Sequence, residues 1–121
     1  MNSAEPQVSH DQRRRRRFPR YRADLKLGIR LLGPDGYSQI NGLCNQIGEG
    51  GLGAIISSEL SVGEVVDLNL SVPSQPAPVS LRAVVRWRER LQHGFEFYGA
   101  TPEQLAAIRG YCSTLTEEGQ I

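Results

Sequence analysis

Hydrophobic and polar residues alternate along most of the chain, which is typical of strands with one buried face. The first such stretch starts at Leu25, and Gly33-Pro34-Asp35-Gly36 predicts the turn after it. Five further stretches predict strands near residues 37–46, 52–57, 66–72, 79–88 and 94–97. Gly42 predicts a bulge or a sharp bend in the second strand, and Trp87 continues the inward-facing positions of the fifth. Six short antiparallel strands favour a small closed β-barrel.

Only the end of the chain predicts a helix. Thr101 and Gln104 have the spacing of a capping box, and Pro102 stands at the favoured first helical position. Apolar residues then recur every three or four positions, at Leu105, Ile108, Cys112 and Leu115. This stripe predicts that the helix packs on the barrel, so the expected fold class is all-β with a C-terminal helix.

The chain of 121 residues fits a single domain. Residues 1–12 contain few apolar side chains, so we expect a flexible tail there, followed by a folded domain over residues 13–116 and a short tail over 117–121. No run approaches the roughly 18 apolar residues of a membrane span, and the N-terminus lacks the apolar core of a signal peptide. These features predict a cytoplasmic protein without a membrane span.

The residues that usually carry catalysis are scattered. His10 falls in the expected tail, and His93 falls in a predicted hairpin loop, where a solvated surface residue is expected. Cys44 and Cys112 are far apart and belong to no CxxC pair, so we expect two buried thiols and no metal site. The pattern predicts neither an enzyme nor a bound cofactor.

The net charge of +1 conceals a local excess of positive charge, because seven of the ten residues 13–22 are arginine and none is acidic. Guanidinium groups bind phosphate through two hydrogen bonds and stack on planar bases, and Arg16 and Arg20 are spaced to do both to one ligand. Gly48, Gly50 and Gly51 allow positive φ and a close approach of backbone N–H groups to a ligand. A barrel would bring the arginines and the glycines together.

Both features resemble motifs of the PilZ domain, a bacterial six-stranded barrel with a C-terminal helix that binds the second messenger cyclic di-GMP. Arg16-Arg17-Phe18-Pro19-Arg20 matches its RxxxR motif, and residues 46–51 align with its (D/N)xSxxG motif. The resemblance implies ligand binding by Arg16, Arg20, Gln46, Gly48, Gly50 and Gly51. It also implies that Arg15, just before the first motif, can stack on a second, intercalated nucleotide, which would make the ligand a dimer; the alternative is a solvated arginine of the tail.

The second motif departs from the family pattern at its polar positions. Gln46 stands where the family has an acid or asparagine, and Gly48 stands where it has serine. A lost neutral hydrogen bond is worth about 0.5–1.5 kcal/mol, so we expect weaker binding and not its loss. A shift of one residue aligns Asn45 and Gly50 with the ends of the motif, but it places Ile47 at the serine position.

The predicted function is that of a non-catalytic sensor module, in which the arginine segment closes over cyclic di-GMP and changes a surface seen by an unidentified downstream protein partner. One alternative is a degenerate PilZ-like interaction module that binds no ligand. A nucleic-acid-binding barrel is the less favoured alternative, because no row of exposed aromatic residues is predicted for base stacking.

Overall fold

The structure is a computed structural model that describes residues 18–115. The expected N-terminal and C-terminal tails, and the predicted ligand residues Arg15 and Arg16, lie outside this range. Six strands and one helix make up the described part: β1 Tyr21–Gly33, β2 Gly36–Ile47, β3 Gly51–Ile56, β4 Val65–Leu70, β5 Val79–Glu89, β6 Gln92–Phe97 and α1 Pro102–Cys112.

The strands form a closed barrel in the order β1-β2-β3-β6-β5-β4, and β4 closes it by pairing with β1. Every neighbouring pair is antiparallel. Closure removes the unpaired edges that an open sheet of this size would present. The predicted six-stranded antiparallel barrel with a C-terminal helix is therefore confirmed.

The barrel interior is filled by the alternating apolar positions of the strands, as the hydrophobic pattern predicts. In β1, Leu25, Leu27 and Ile29 are buried while their immediate neighbours are more exposed. The same alternation runs through β4 and most of β5. Burying an aliphatic side chain of this size stabilises a fold by about 1.5–3 kcal/mol, so this interior supplies the main driving force for folding.

Helix α1 begins as predicted. The Thr101 hydroxyl accepts from the backbone N–H of Gln104 (3.1 Å), and the Gln104 side chain accepts from the backbone N–H of Thr101 (2.9 Å). Ile108, Tyr111 and Cys112 are its buried residues and contribute to the core. Within residues 18–115, no helix has the length and apolar character that spanning a membrane requires.

The two cysteines are buried free thiols, as predicted. Burial raises the pKa of Cys44 to about 12, and a backbone hydrogen bond at Gln46 offsets part of that rise. The thiol also lies 3.2 Å from the Gln46 carbonyl, to which it donates. Burial likewise raises the pKa of Cys112 to about 11. Both side chains therefore stay protonated and unreactive in the folded protein at neutral pH.

The prediction for His93 was wrong. His93 lies inside β6 and is completely buried. Its Nε2 accepts from the backbone N–H of Leu60 (3.1 Å), so Nδ1 carries the proton and donates to the Leu91 carbonyl (2.8 Å). His93 thus ties the β3–β4 connection to β6, a role that depends on a partner 33 residues away in sequence.

Three register shifts interrupt the pairing, and they lie near one another. They fall between Arg22 and Leu25 in the β1–β2 pair, between Cys44 and Gln46 in the β2–β3 pair, and between Val85 and Trp87 in the β5–β6 pair. A bulge inserts one residue and so reverses the side-chain alternation beyond it. Bulges of this kind are common next to binding sites, where they redirect side chains.

The β5 bulge makes the predicted inward position of Trp87 wrong. Val85 is buried opposite Phe95, but the extra residue Arg86 turns Trp87 to the outer face, where it is half-buried and paired with Gly94. The bulge predicted at Gly42 is also misplaced, because Gly42 lies in regular pairing and β2 bulges at Asn45. An added Cβ at Gly42 would lie 2.9 Å from the Ile55 carbonyl oxygen, so close packing explains this glycine.

Candidate functional site

Cross-strand pairing aligns five residues on the outside of the barrel, which we call the outer row. Arg22 pairs with Gln46, Gln46 with Gly53, Gly53 with Gly94, and Gly94 with Trp87. Side chains of directly paired residues lie on the same face of a sheet. The outer row therefore crosses β1, β2, β3, β6 and β5, beside the three register shifts.

Three amide side chains cluster on the outer row at Gly53. Asn45 and Gln92 donate to each other through their amide groups, at 3.0 and 3.1 Å. An added Cβ at Gly53 would lie 3.1 Å from Nε2 of Gln92 and 3.3 Å from Oε1 of Gln46. The bulge at Asn45 produces this cluster, because it turns two consecutive side chains of β2 outward. The cluster presents both donors and acceptors on one surface.

Residues 48–51 form the glycine turn between β2 and β3. The backbone N–H of Gly48 donates to the Gly51 carbonyl (2.9 Å), and the N–H of Phe97 donates to the Gly50 carbonyl (2.9 Å). None of the three glycines adopts the positive φ that glycine allows. An added Cβ at Gly51 would collide with the Phe95 carbonyl. These glycines serve close packing and not an unusual backbone conformation.

The start of the described chain, residues 18–20, packs directly on the glycine turn. An added Cβ at Gly48 would lie 2.5 Å from the carbonyl oxygen of Pro19 and 3.3 Å from Cδ of Arg20. The ring of Phe18 covers Gly50 in the same way, 2.9 Å from an added Cβ. The structure thus brings Arg20 to the glycine turn, just before β1 and two residues before Arg22, which pairs with Gln46.

Two carboxylates on this side of the barrel are each paired with an arginine. Glu49, within the glycine turn, lies 3.3 Å from Arg109 of α1, and Glu96 of β6 lies 2.5 Å from Arg86. Exposed ion pairs contribute little to stability. They do offset negative charge that would otherwise repel an anionic ligand at this surface.

The structure separates the two possible alignments of the second motif. Ile47 would stand at the serine position in the shifted alignment, but it is completely buried in the core. Asn45 and Gln46 are both half-buried and both lie over Gly53, so the first motif position does not decide between the alignments. The serine position does, because Gly48 faces residues 18–20 whereas Ile47 belongs to the core. In the alignment that begins at Gln46, Gly48 lies beneath Pro19.

Apart from the outer row and the glycine turn, a cleft of about 490 Å³ lies against β4, β5 and the start of α1. Asp67 sits within it, 3.2 Å from Arg30 and 3.4 Å from Arg82. Of the predicted ligand residues that fall within residues 18–115, none lines this cleft.

The topology, the position of Arg20 on the glycine turn and the exposure of Gln46 agree with a family comparison. The sequence matches the family model described as "PilZ domain" over residues 14–114. The chain belongs to the PilZ domain family. A search of curated protein sequences gave no match.

Solved structures share this fold at low sequence identity. The inhibitor of motility MotI/DgrA from Bacillus subtilis has a TM-score of 0.66 at 21% identity, covering 82% of this chain and 50% of its own. The PilZ domain of YcgR from Escherichia coli, solved with c-di-GMP, has a TM-score of 0.65 at 16% identity, covering 84% of this chain and 91% of its own. The PilZ domain of CeSA from a cellulose-synthesizing bacterium has a TM-score of 0.60 at 14% identity, covering 78% and 95%. The chain thus spans half the length of the motility inhibitor.

Sequence reasoning missed Gln92 and Gly94 as neighbours of Gln46, and it favoured the barrel interior for Trp87. A lone glycine within a strand pattern indicates that another group approaches the backbone closely, so the close contact at Gly94 could have been predicted. The others depend on bulges, and no residue type marks a bulge reliably in a single sequence.

Proposed function

We propose that this PilZ domain is a cyclic di-GMP receptor module that binds its ligand on the outer face of β2, β3 and β6. The observation that carries the proposal is the packing of Pro19 and Arg20 on Gly48, next to Gln46. A guanidinium group and an amide acceptor then flank one surface, as a ligand with both phosphates and guanine bases requires. The YcgR domain with the same fold, solved with c-di-GMP, supports this ligand.

Each predicted site residue has a role in this proposal. Arg16 and Arg20 hold phosphate oxygens through charge-assisted hydrogen bonds, and Oε1 of Gln46 accepts from a guanine edge. Gly48, Gly50 and Gly51 keep the turn flat enough for residues 18–20 to lie on it. Arg15 stacks on a second nucleotide when the ligand is an intercalated dimer. The module is regulatory and not catalytic, and acts in the cytoplasm on a downstream protein partner.

Calorimetric titration with cyclic di-GMP tests the proposal. A hydrogen bond to a charged group contributes about 1.5–3 kcal/mol, so Arg20→Ala alone should raise the Kd about 10- to 150-fold. The double change of Arg16 and Arg20 to alanine should eliminate measurable binding. The matched control is Arg82→Ala, in the cleft that contains Asp67, which should bind as the wild type does.

The variant Gln46→Asp tests whether residue 46, where the chain departs from the family motif, accepts a hydrogen bond from the ligand. A carboxylate at this position restores a charge-assisted acceptor, so we expect tighter binding by about three- to tenfold. Unchanged affinity would mean that residue 46 does not contact the ligand.

A ligand-free interaction module is the second candidate, and Gly48 favours it. The serine position of the motif carries no side chain here and lies beneath Pro19. Absence of heat with the wild-type protein up to millimolar ligand would favour this candidate.

A further inference from the structure

The cleft of about 490 Å³ against β4, β5 and the start of α1 has walls that are tied together, and we call it the Asp67 cleft. Within it, the Ser80 hydroxyl of β5 donates to Oδ1 of Asn69 on β4 (2.6 Å). The side chain of Gln104 donates to the Ser80 carbonyl and so joins α1 to β5. These hydrogen bonds fix the shape of the cleft before any partner binds, and its volume lies in the usual range for binding sites.

The Asp67 cleft carries one excess positive charge. The Asp67 carboxylate is shared by two guanidinium groups, that of Arg30 (3.2 Å) and that of Arg82 (3.4 Å). Of the described residues that line the cleft, Asp67 alone is acidic. Arg88 and Arg109, elsewhere in the structure, each have a carboxylate of their own. A guanidinium group has five N–H donors, so both arginines of the cleft can bind a second carboxylate without releasing Asp67.

Two exposed tyrosines extend this charged cluster. The centre of the Tyr37 ring lies 4.6 Å from the guanidinium carbon of Arg30, a cation–π contact that limits the rotation of the arginine. Tyr98 lines the cleft beside Arg82, whose carbonyl accepts from the Tyr98 backbone N–H (2.8 Å). Tyr37 and Tyr98 are 63% and 60% exposed. Tyrosine and arginine are among the residues that dominate the binding energy of protein interfaces, and side chains that are already ordered lose less entropy on binding.

We propose that the Asp67 cleft is the docking surface for an acidic segment of a partner protein. One carboxylate of that segment bridges Arg30 and Arg82, and an apolar side chain next to it packs on the ring of Tyr98. One excess positive charge matches one carboxylate, whereas a nucleic acid presents a row of phosphates that Asp67 would repel. The inference goes beyond the ligand site, and it rests on the proposed function only for the signal that the partner receives.

Heteronuclear NMR of the full chain, titrated with the peptide acetyl-Leu-Glu-Glu-Leu-amide, tests the docking surface. The peptide should shift the Nε–H signals of Arg30 and Arg82 and the backbone N–H signals of Tyr98 and Gly99, saturably and with one Kd. The control peptide acetyl-Leu-Gln-Gln-Leu-amide has the same shape without the charge, so it should leave these four signals unchanged. A carboxylate attracted only by the arginine run of residues 13–17 would not shift them either.

Three variants identify the side chains that hold the peptide. Arg82→Ala should raise the peptide Kd about three- to tenfold, because it removes a charge-assisted hydrogen bond at an exposed site. Tyr98→Ser removes the aromatic ring and should raise the Kd about threefold. Arg88→Ala is the matched control, because Arg88 belongs to the same strand as Arg82 but lies outside the cleft and pairs with Glu59. It should bind the peptide as the wild type does.

The outcomes distinguish this inference from the proposed function. Equal shifts with both peptides, no shift at the cleft up to millimolar peptide, or an unchanged Kd in Arg82→Ala would each overturn the docking surface. Tighter binding of a single-stranded oligothymidylate at the same four signals would overturn it in favour of a nucleic acid. If a variant does not fold, the wild-type titration with the two peptides decides the question. Arg82→Ala should still bind cyclic di-GMP, and Arg20→Ala should keep the peptide shifts, so either proposal can fail while the other stands.

Discussion

Gly48→Ala should displace the N-terminal segment that carries Arg20. The new Cβ would lie 2.5 Å from the Pro19 carbonyl oxygen, whereas non-bonded heavy atoms prefer about 3.5 Å or more. The obstacle is backbone and not a side chain that can rotate. Residues 18–20 must therefore move by about 1 Å, because β2 and β3 fix the glycine turn on the other side.

The cost follows from what the segment contacts. Introducing a methyl group into a packed contact usually destabilises a protein by about 1–3 kcal/mol, and a segment at the end of the domain relieves most of this by moving away. We expect a loss of about 1 kcal/mol in the free energy of unfolding. Arg20 moves with the segment, so the Kd for cyclic di-GMP should rise at least tenfold.

Urea unfolding and calorimetric titration measure the two effects. Gly50→Ala is a graded comparison, because its new Cβ meets only the Phe18 ring, which can rotate aside, and its effect should be smaller. Gly33→Ala is the matched control, since its Cβ would lie at an ordinary 3.6 Å from the Gly36 carbonyl. If Gly48→Ala and Gly33→Ala behave alike in both assays, the packing of residues 18–20 on the glycine turn is refuted.

Three further predictions concern stability. Gly110→Ala should raise the free energy of unfolding by about 0.5–1 kcal/mol in thermal or urea melts, because nothing lies within 4 Å of the new Cβ and alanine favours the helix; destabilisation would contradict this. His93→Leu should cost about 1–3 kcal/mol by leaving the buried N–H of Leu60 without an acceptor, and His93→Gln should cost less; equal losses would refute the hydrogen-bonding role. Because burial raises the folded pKa of Cys44 to about 12 and of Cys112 to about 11, both above the ordinary 9.0, the contribution of the two thiols to stability should be constant below about pH 8. It should then fall above pH 9 by up to about 1.4 kcal/mol per pH unit for each thiol, since the unfolded chain loses those protons first, and Cys112→Ala should flatten the fall measured by urea midpoints.

The strands and the helix could be predicted because their signals are local. Alternation places Leu25, Leu27 and Ile29 inward without reference to the rest of the chain, and the Thr101 capping box marks the start of α1. These local preferences agree with the tertiary structure, so the pattern is sufficient. The prediction failed for Trp87 because one extra residue in β5 reverses the alternation.

The candidate site was predictable only in part. The arginine and glycine motifs indicated Arg20 and Gln46, and the packing of residues 18–20 on Gly48 brings Arg20 to the turn that follows Gln46. The reason for Gly48 was not accessible, because the Pro19 carbonyl that excludes a side chain there comes from a segment 29 residues away. The prediction for His93 was wrong for the same reason, since its partner Leu60 is remote in sequence and nothing near residue 93 indicates burial.

Backbone amide NMR shifts on titration with cyclic di-GMP would test the central claim most directly, because they locate the ligand on the barrel. If the ligand binds on the proposed surface, the largest shifts should occur at Arg20, Gln46, the glycine turn and Gly94, together with the indole N–H of Trp87. Shifts concentrated around Asp67 and Arg82, in the cleft against β4 and β5, would contradict the proposed site even if the ligand binds tightly.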